Sequence, residues 1–169
     1  MKKLFALILL LLAVQGAFAE TKPLQQADFA LLREQVSIGL GQPLFPQAKP
    51  LQALFQNDSA KTDFPSCKFV GIQSNYRFGK LTIVCESIGR NGAPVIDSLL
   101  LSEDASYLTP RGIGIGADKQ AVLAAYGEPV ETDGETLIFT AGEIGVAPTL
   151  LITFAEGKVQ HIEMQQTLR

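Results

Sequence analysis

The chain has little of what catalytic and metal-binding sites are usually built from. Its 169 residues include one His, two Cys and no Trp. A single His, with two Cys that do not form a C-x-x-C motif, argues against a zinc site. No Ser or Cys nucleophile motif accompanies the His. The sequence therefore predicts no catalytic residues, no metal and no other cofactor.

The chain also lacks an apolar run long enough to cross a bilayer. Leu4 to Val14 is an unbroken apolar run of 11 residues, against about 20 for a bilayer-spanning helix. Two lysines precede it and a small-x-small site, Ala17-Phe18-Ala19, follows it, so residues 1–19 are predicted to be a secretory signal peptide. Glu20 stands where a bacterial lipoprotein would have its lipidated Cys. We therefore expect a periplasmic or secreted protein with no membrane insertion.

Basic residues are not clustered in this chain. Without residues 1–19 it has 12 Lys and Arg against 17 Asp and Glu. This acidic balance argues against nucleic acid or an anionic membrane surface as the main partner. The expected partner is another envelope or secreted protein, and the sequence leaves the oligomeric state open.

What the chain does contain is one pattern that occurs twice. In each copy a Gly-rich turn leads into a short helix and then into three strand-like segments, a unit of about 60 to 70 residues. The first copy covers residues 37–108 and the second covers residues 109–169. Before them, the apolar residues between Leu24 and Gln35 have helical spacing, which predicts an amphipathic leader helix within residues 20–36.

Apolar periodicity and turn residues predict the elements of both copies. In the first copy a helix begins at about residue 48, and strands cover Cys67 to Ile72 with Tyr76 to Phe78, Leu81 to Glu86, and Val95 to Leu101. In the second copy Asp118 caps a helix over Lys119 to Tyr126, Gly127 ends it in a left-handed conformation, and strands cover Thr136 to Thr140, Thr149 to Ala155, and Lys158 to Gln165. The predicted fold class is α+β, with tandem α-β-β-β repeats whose short helices pack on one face of a curved antiparallel sheet.

Several of these segments also carry a family resemblance. The stretches are Phe64-Pro65-Ser66-Cys67-Lys68-Phe69-Val70-Gly71, Tyr76-Arg77-Phe78, Thr109-Pro110-Arg111-Gly112-Ile113-Gly114-Ile115-Gly116, and Ala125-Tyr126-Gly127-Glu128-Pro129. Together they resemble a group of uncharacterised bacterial secreted proteins and lipoproteins. That group is similar in architecture to the β-lactamase inhibitory protein (BLIP-like) and to small outer-membrane assembly lipoproteins. The resemblance implies a fold and a cell-envelope setting, and it brings no established activity.

The two cysteines, Cys67 and Cys85, lie 18 positions apart. In an oxidising compartment a disulfide bond between them is the favoured interpretation. Closing that loop would stabilise the fold by about 3 kcal/mol in the chain-entropy model. The alternatives are two free buried thiols and a redox role.

Strand alternation predicts which side chains leave the core. The inward set is Tyr76, Phe78, Leu81, Ile83, Leu99, Leu101, Leu137, Phe139, Leu150, Ile152, Phe154, Ile162 and Met164. The outward set, which we name the open face, is Arg77, Thr82, Val84, Ser98, Leu100, Ile138, Leu151, Thr153, His161 and Glu163. Exposed aliphatic residues rimmed by polar ones are typical of a protein-binding surface, although a solvated sheet face has the same composition.

The leading hypothesis is a non-enzymatic protein-binding or cell-envelope module. Its predicted partner-binding residues are Arg77, Val84, Leu100, Ile138, Leu151, Thr153, His161 and Glu163. One alternative is an inhibitor of a secreted hydrolase, acting through the Arg90-Asn91-Gly92 or the Gly142 to Ala147 hairpin. A second alternative is a small hydrolase centred on His161 with Glu163, which alternation places on one sheet face; a polar surface pair explains the same two residues.

Overall fold

A computed structural model of the chain describes residues 23–45, 47–54, 59–66, 71–89 and 91–166. The predicted signal peptide, residues 1–19, lies outside the described residues. So do Cys67 and Arg90, which belong to the predicted disulfide and to one of the predicted inhibitory hairpins.

The described residues form ten strands and two helices. They are β1 (Ala30–Arg33), β2 (Val36–Gly39), α1 (Ala48–Leu54), β3 (Ser59–Pro65), β4 (Gly71–Phe78), β5 (Leu81–Ile88), β6 (Val95–Ser102), α2 (Lys119–Tyr126), β7 (Glu131–Asp133), β8 (Thr136–Thr140), β9 (Thr149–Ala155) and β10 (Lys158–Gln165). β1 and β2 make a separate hairpin, and the other eight strands make one sheet in the order β3-β4-β5-β6-β10-β9-β8-β7. All of its pairings are antiparallel. The structure confirms an antiparallel sheet with few helices.

β6 and β10 join the two halves of this sheet. Leu99 pairs with Met164, and Leu101 pairs with Ile162. All four side chains are fully buried. The strands that follow α1 therefore lie on one side of this junction, and the strands that follow α2 lie on the other.

The second half forms the elements that its sequence signals predict. α2 has the predicted bounds, and Gly127 ends it with a φ of 80°. Its ψ of −155° lies outside the predicted left-handed helical region. Its N–H donates to Leu123 O at 2.8 Å. Asp118 occupies the N-cap position, but its side chain does not cap the helix as predicted. Its carboxylate instead pairs with Lys158 Nζ at 2.8 Å, across the isolated bridge that joins the two backbones.

The predicted leader helix in residues 20–36 is wrong. A short 3-10 turn, Gln26–Asp28, is followed by the β1–β2 hairpin. Glu34 makes the tight turn possible with a φ of 51°, a conformation that a non-glycine residue seldom adopts. The hairpin buries Leu31 and Ile38, and Leu32 exchanges two backbone hydrogen bonds with Leu108. Tertiary burial thus overrides a weak helical pattern.

The predicted count of three strands per copy is also wrong, because four strands follow each helix. The additional ones are β3 and β7, which are the two edge strands of the sheet. Every described side chain of β7, and nearly every one of β3, is exposed. Such strands have no alternating apolar pattern, so periodicity does not detect them.

One side of the sheet packs against the other elements. The core joins the inward side chains of β4 to β6 and β8 to β10 with Leu51 of α1, Tyr126 of α2, and Phe29 and Ile38 of the hairpin region. The Tyr126 and Phe139 rings lie 5.3 Å apart between centroids. Residues of both helices and of the hairpin therefore belong to the same buried cluster as the inward side chains of the sheet.

Arg111 ties the start of the described chain to α2. Its Nε and Nη2 donate to the two carboxylate oxygens of Asp28 at 2.9 and 2.8 Å. Its Nη1 donates to Ala125 O at 3.0 Å, and its guanidinium carbon lies 5.2 Å from the Tyr126 ring centroid. Both members of the ion pair are about 15% exposed, so this forked pair is screened less than a surface pair.

We expect Arg111→Lys to lower the free energy of unfolding by about 1 to 3 kcal/mol, because an ammonium group cannot reproduce the fork. Urea unfolding at pH 7 measures this change. Lys80→Gln is the matched control, since Lys80 pairs with Glu103 at 2.6 Å while both side chains are more than half exposed; it should cost less than about 1 kcal/mol. Equal losses of unfolding free energy in the two variants would contradict the inference that the forked Arg111–Asp28 pair stabilises the fold more than a surface ion pair does.

The Asp28 carboxylate should make this stabilisation depend on pH. Its hydrogen bonds from Arg111 hold the Asp28 pKa below the usual 3.8. A lowered folded pKa gives stability that is present above the unfolded pKa and is lost as the pH falls through the folded value. The difference in unfolding free energy between wild type and Asp28→Asn should therefore shrink from pH 6 to about pH 2.5. If the difference in unfolding free energy stayed constant with pH, the effect of the substitution would come from side-chain packing and not from the charge of Asp28.

Candidate functional site

The sheet has two sides of different character, as alternation predicts. Of the predicted inward side chains, Tyr76 is half-buried. The other twelve are buried: Phe78, Leu81, Ile83, Leu99, Leu101, Leu137, Phe139, Leu150, Ile152, Phe154, Ile162 and Met164. The predicted open face lies on the other side of the sheet. Its side chains range from exposed to half-buried, except for Ile138.

One register row of the open face crosses all eight strands. We name it the central row: Ala60, Arg77, Thr82, Leu100, Glu163, Leu151, Ile138 and Glu131 are paired in that order. The structure therefore brings five of the predicted partner-binding residues into one line, Arg77, Leu100, Glu163, Leu151 and Ile138.

Leu100 lies at the middle of the central row. It is 40% exposed, although Leu99 and Leu101 beside it are fully buried. Its neighbours in the row are Thr82 and Glu163. The structure thus presents a leucine to solvent at the centre of its largest sheet.

Three more aliphatic side chains accompany Leu100. Val84 is half-buried and lies diagonally from Leu100, because Val84 pairs with Ser98. Leu151 is half-buried on the far side of Glu163. Ile138 is only 7% exposed, so its predicted exposure is wrong. Its row neighbours Leu151 and Glu131 flank it on both sides.

Polar groups interrupt and border these aliphatic residues. Gln165 Nε2 donates to Glu163 Oε1 at 2.6 Å, which fixes the Glu163 carboxylate beside Leu100. Thr153 and Thr136 share a hydroxyl hydrogen bond at 2.9 Å. His161 is exposed, with Ser102 and Thr153 as its cross-strand neighbours. The site is an apolar stripe with one acidic group in its middle.

A cavity that the sequence did not predict continues this side of the sheet. Its volume is about 440 Å³, and its lining includes Glu86, Ile88, Val95 and Asp97. Glu86 and Val95 form a cross-strand pair. Glu86 and Asp97 are buried, with 7% and 9% of their surface exposed. A sequence signal for two of these residues exists. If the alternation of β5 is continued from Thr82, it places Glu86 and Ile88 on the open side of the sheet. Asp97 has no such signal, because a register shift between β5 and β6 positions it.

The Cys85 thiol is buried on the opposite side from Glu86. Burial, followed by the negative charges of Asp97 and Glu86, raises the Cys85 pKa to about 12. A thiol with such a pKa is a poor nucleophile at neutral pH. Cys67 lies outside the described residues, so the predicted disulfide stays a prediction.

The predictions about a metal site and about a pocket beside His161 concern two further features of the described residues. Within the described residues, no group of three or more His, Cys, Asp or Glu side chains is arranged to hold a metal ion. A second cavity of about 180 Å³ is lined by Tyr126 and Phe139 among others, and neither cavity is lined by His161. In the part of the chain that is described, no helix combines the length and the apolar character that a bilayer crossing needs.

Comparison with protein-family models, curated proteins and solved structures found no match to this chain.

We expect Cys85 to resist alkylation in the reduced, folded protein. At pH 8 a pKa of about 12 leaves a thiolate fraction of about one in ten thousand, and burial restricts access further. Mass spectrometry after iodoacetamide treatment should find Cys85 modified in guanidinium chloride and unmodified in buffer. Equally fast labelling in both would show a reactive, accessible thiol and favour a redox role.

Proposed function

We propose that this protein is an exported, non-enzymatic binding module that docks another envelope or secreted protein on its open face. The observation that carries the proposal is the exposure of Leu100 at the centre of the sheet. Single exposed leucines are common, but this one has Val84 diagonally beside it and Leu151 two strands away in the same row. An apolar centre with a polar rim is the usual anatomy of a protein interface.

The charge in the stripe defines the kind of partner that would fit. Glu163 lies between Leu100 and Leu151, and Gln165 holds its carboxylate in place. Covering Glu163 without a counter-charge would be costly. A fitting partner therefore offers an apolar surface with one basic side chain opposite Glu163.

We also propose that the two halves of the sheet are copies of one unit, a helix followed by strands. When the two copies are aligned along the sequence, Leu99 of the first matches Ile162 of the second, and Leu101 matches Met164. The register pairs Leu99 with Met164 and Leu101 with Ile162, which is how two copies pair about a twofold axis. That axis would pass between Leu100 and Glu163. The likeness to BLIP-like envelope proteins, and with it the periplasmic or secreted setting, remains part of this proposal.

A second candidate is an inhibitor of a secreted hydrolase, and one observation favours it. The loop from Gly142 to Ala147 exposes Ile144 by 41% and Val146 by 70%. A protruding apolar tip of this kind suits insertion into the active-site cleft of a target. The loop joins β8 to β9, so it lies at one end of the sheet, away from Leu100.

Crosslinking followed by affinity capture from intact envelopes tests both candidates. The open face is altered with Leu100→Glu and Leu151→Glu together, and the loop with Val146→Glu. Leu108→Glu is the matched control, because Leu108 is 45% exposed and lies outside the eight-stranded sheet. All variants are compared at equal thermal stability.

We expect the open-face variant to lose one specific partner protein that the wild type, the loop variant and the control all retain. Two buried glutamates in an apolar contact should weaken binding by at least about 100-fold. Loss in the loop variant alone would favour the inhibitor instead. A partner set unchanged across all four proteins would contradict both candidates.

A further inference from the structure

The two edges of the sheet differ in their capacity to accept another strand. β7 has three residues, whereas β3 has seven. β3 is the first strand in the sheet order, and no described strand pairs with its outer side. A seven-residue free edge presents a row of backbone donors and acceptors.

The hydrogen bond at the C-terminal end of β3 shows which of its peptide groups point toward β4 and which point to the free edge. The Ser66 N–H donates to Gly71 O at 3.1 Å, so Ser66 faces β4. Peptide groups alternate in direction along a strand. Ala60, Thr62 and Phe64 therefore bond to β4, as Ser66 does. Ser59, Lys61 and Asp63 then direct their N–H and C=O groups to the free edge, and Pro65 directs a C=O there.

The side chains along this edge form a self-complementary set. Lys61 Nζ and an Asp63 carboxylate oxygen lie 2.9 Å apart on one face of the strand, and both side chains are about half exposed. Ala60 and Phe64 lie on the other face, where Phe64 is 47% exposed. When the strand is reversed about Thr62, Lys61 exchanges places with Asp63 and Ala60 with Phe64, so each charge meets its opposite and the small side chain meets the large one.

We propose that β3 is a self-association edge, on which a second copy of this chain pairs its own β3 antiparallel and centred on Thr62. In this register Lys61 lies opposite the partner's Asp63, and the reciprocal pair repeats the contact. These are the residues whose peptide groups point outward, so they exchange backbone hydrogen bonds. Ala60 lies opposite the partner's Phe64, which covers the exposed ring. Two sheets join into one.

The usual protections of an edge strand do not block this register. Lysine and proline on an edge normally prevent pairing. Here each Lys61 charge meets an aspartate of the partner. Pro65 lies opposite the partner's Ser59, where the carbonyl oxygen of Pro65 can accept a hydrogen bond although the proline has no N–H to donate. A different chain would have to supply the same charge order by chance, so a second copy is the fitting occupant.

Charge reversal tests the pairing. Sedimentation velocity over a concentration series should show a monomer–dimer equilibrium for the purified protein. Lys61→Asp alone and Asp63→Lys alone each put like charges opposite at two positions, and each should raise the dimer dissociation constant about tenfold or more. The combined Lys61→Asp, Asp63→Lys variant restores opposite charges and should return the constant to within about threefold of wild type.

The matched control is Lys80→Glu, which reverses an exposed lysine away from β3 and should leave the dissociation constant unchanged. Hydrogen exchange of the Thr62 amide, which bonds to β4, verifies that β3 still folds in each variant. A wild type that stays monomeric up to about 1 mM would overturn the proposal. So would a combined variant that folds β3 and still fails to dimerise.

A crosslink tests the register itself. Residues that face each other in a non-hydrogen-bonded antiparallel pair have Cα atoms about 4.5 Å apart, within disulfide range. In a Cys67→Ser, Cys85→Ala background, Thr62→Cys should form a disulfide-linked dimer on mild oxidation. Ala60→Cys lies on the same face of β3 but about 13 Å from its own counterpart, and it should stay monomeric. Equal crosslinking of the two variants would contradict the proposed register.

Discussion

The pairing of β6 with β10 is the contact on which the rest of the structure depends. Five residue pairs, from Ser98 with Gln165 to Ser102 with His161, join strands that are about sixty positions apart in the chain. The entropy lost in closing that distance is offset by burial, since Leu99, Leu101, Ile162 and Met164 are fully buried at the junction. Without it the sheet would separate into two four-stranded halves, each with a long new edge.

The same junction explains why the sheet has an open face. Successive side chains on a strand point to opposite sides. In the run Leu99-Leu100-Leu101, burying the first and third on β6 forces Leu100 outward. Residues of the helices and of the β1–β2 hairpin cluster with the inward side chains, whereas Leu100 is 40% exposed. Alternation alone does not require a leucine at that position, and the proposed docking function is based on its exposure.

Much of this architecture could be predicted from the sequence, and the failures have physical causes. β8, β9, β10 and α2 have the predicted bounds because clean alternation or helical spacing runs between marked turns, as at Gly127 and Gly157. β1 and β2 were missed because their turn uses Glu34 at positive φ, without a glycine to signal it. β3 was missed because an exposed edge strand needs no apolar pattern. The cavity beside Glu86 and Asp97 depends on the β5–β6 register shift, which no local pattern encodes.

The geometry of the β3 edge bears on how the open face would be used. An antiparallel pair centred on Thr62 relates two copies by a twofold axis perpendicular to the sheet, so the two open faces point to the same side. Their central rows would begin close together, because Ala60, the first residue of the row, lies at the paired edge. A partner that is itself dimeric, or that is fixed in an envelope surface, would then meet two sites at once. Binding through a modest apolar stripe would gain from the high effective concentration of the second site.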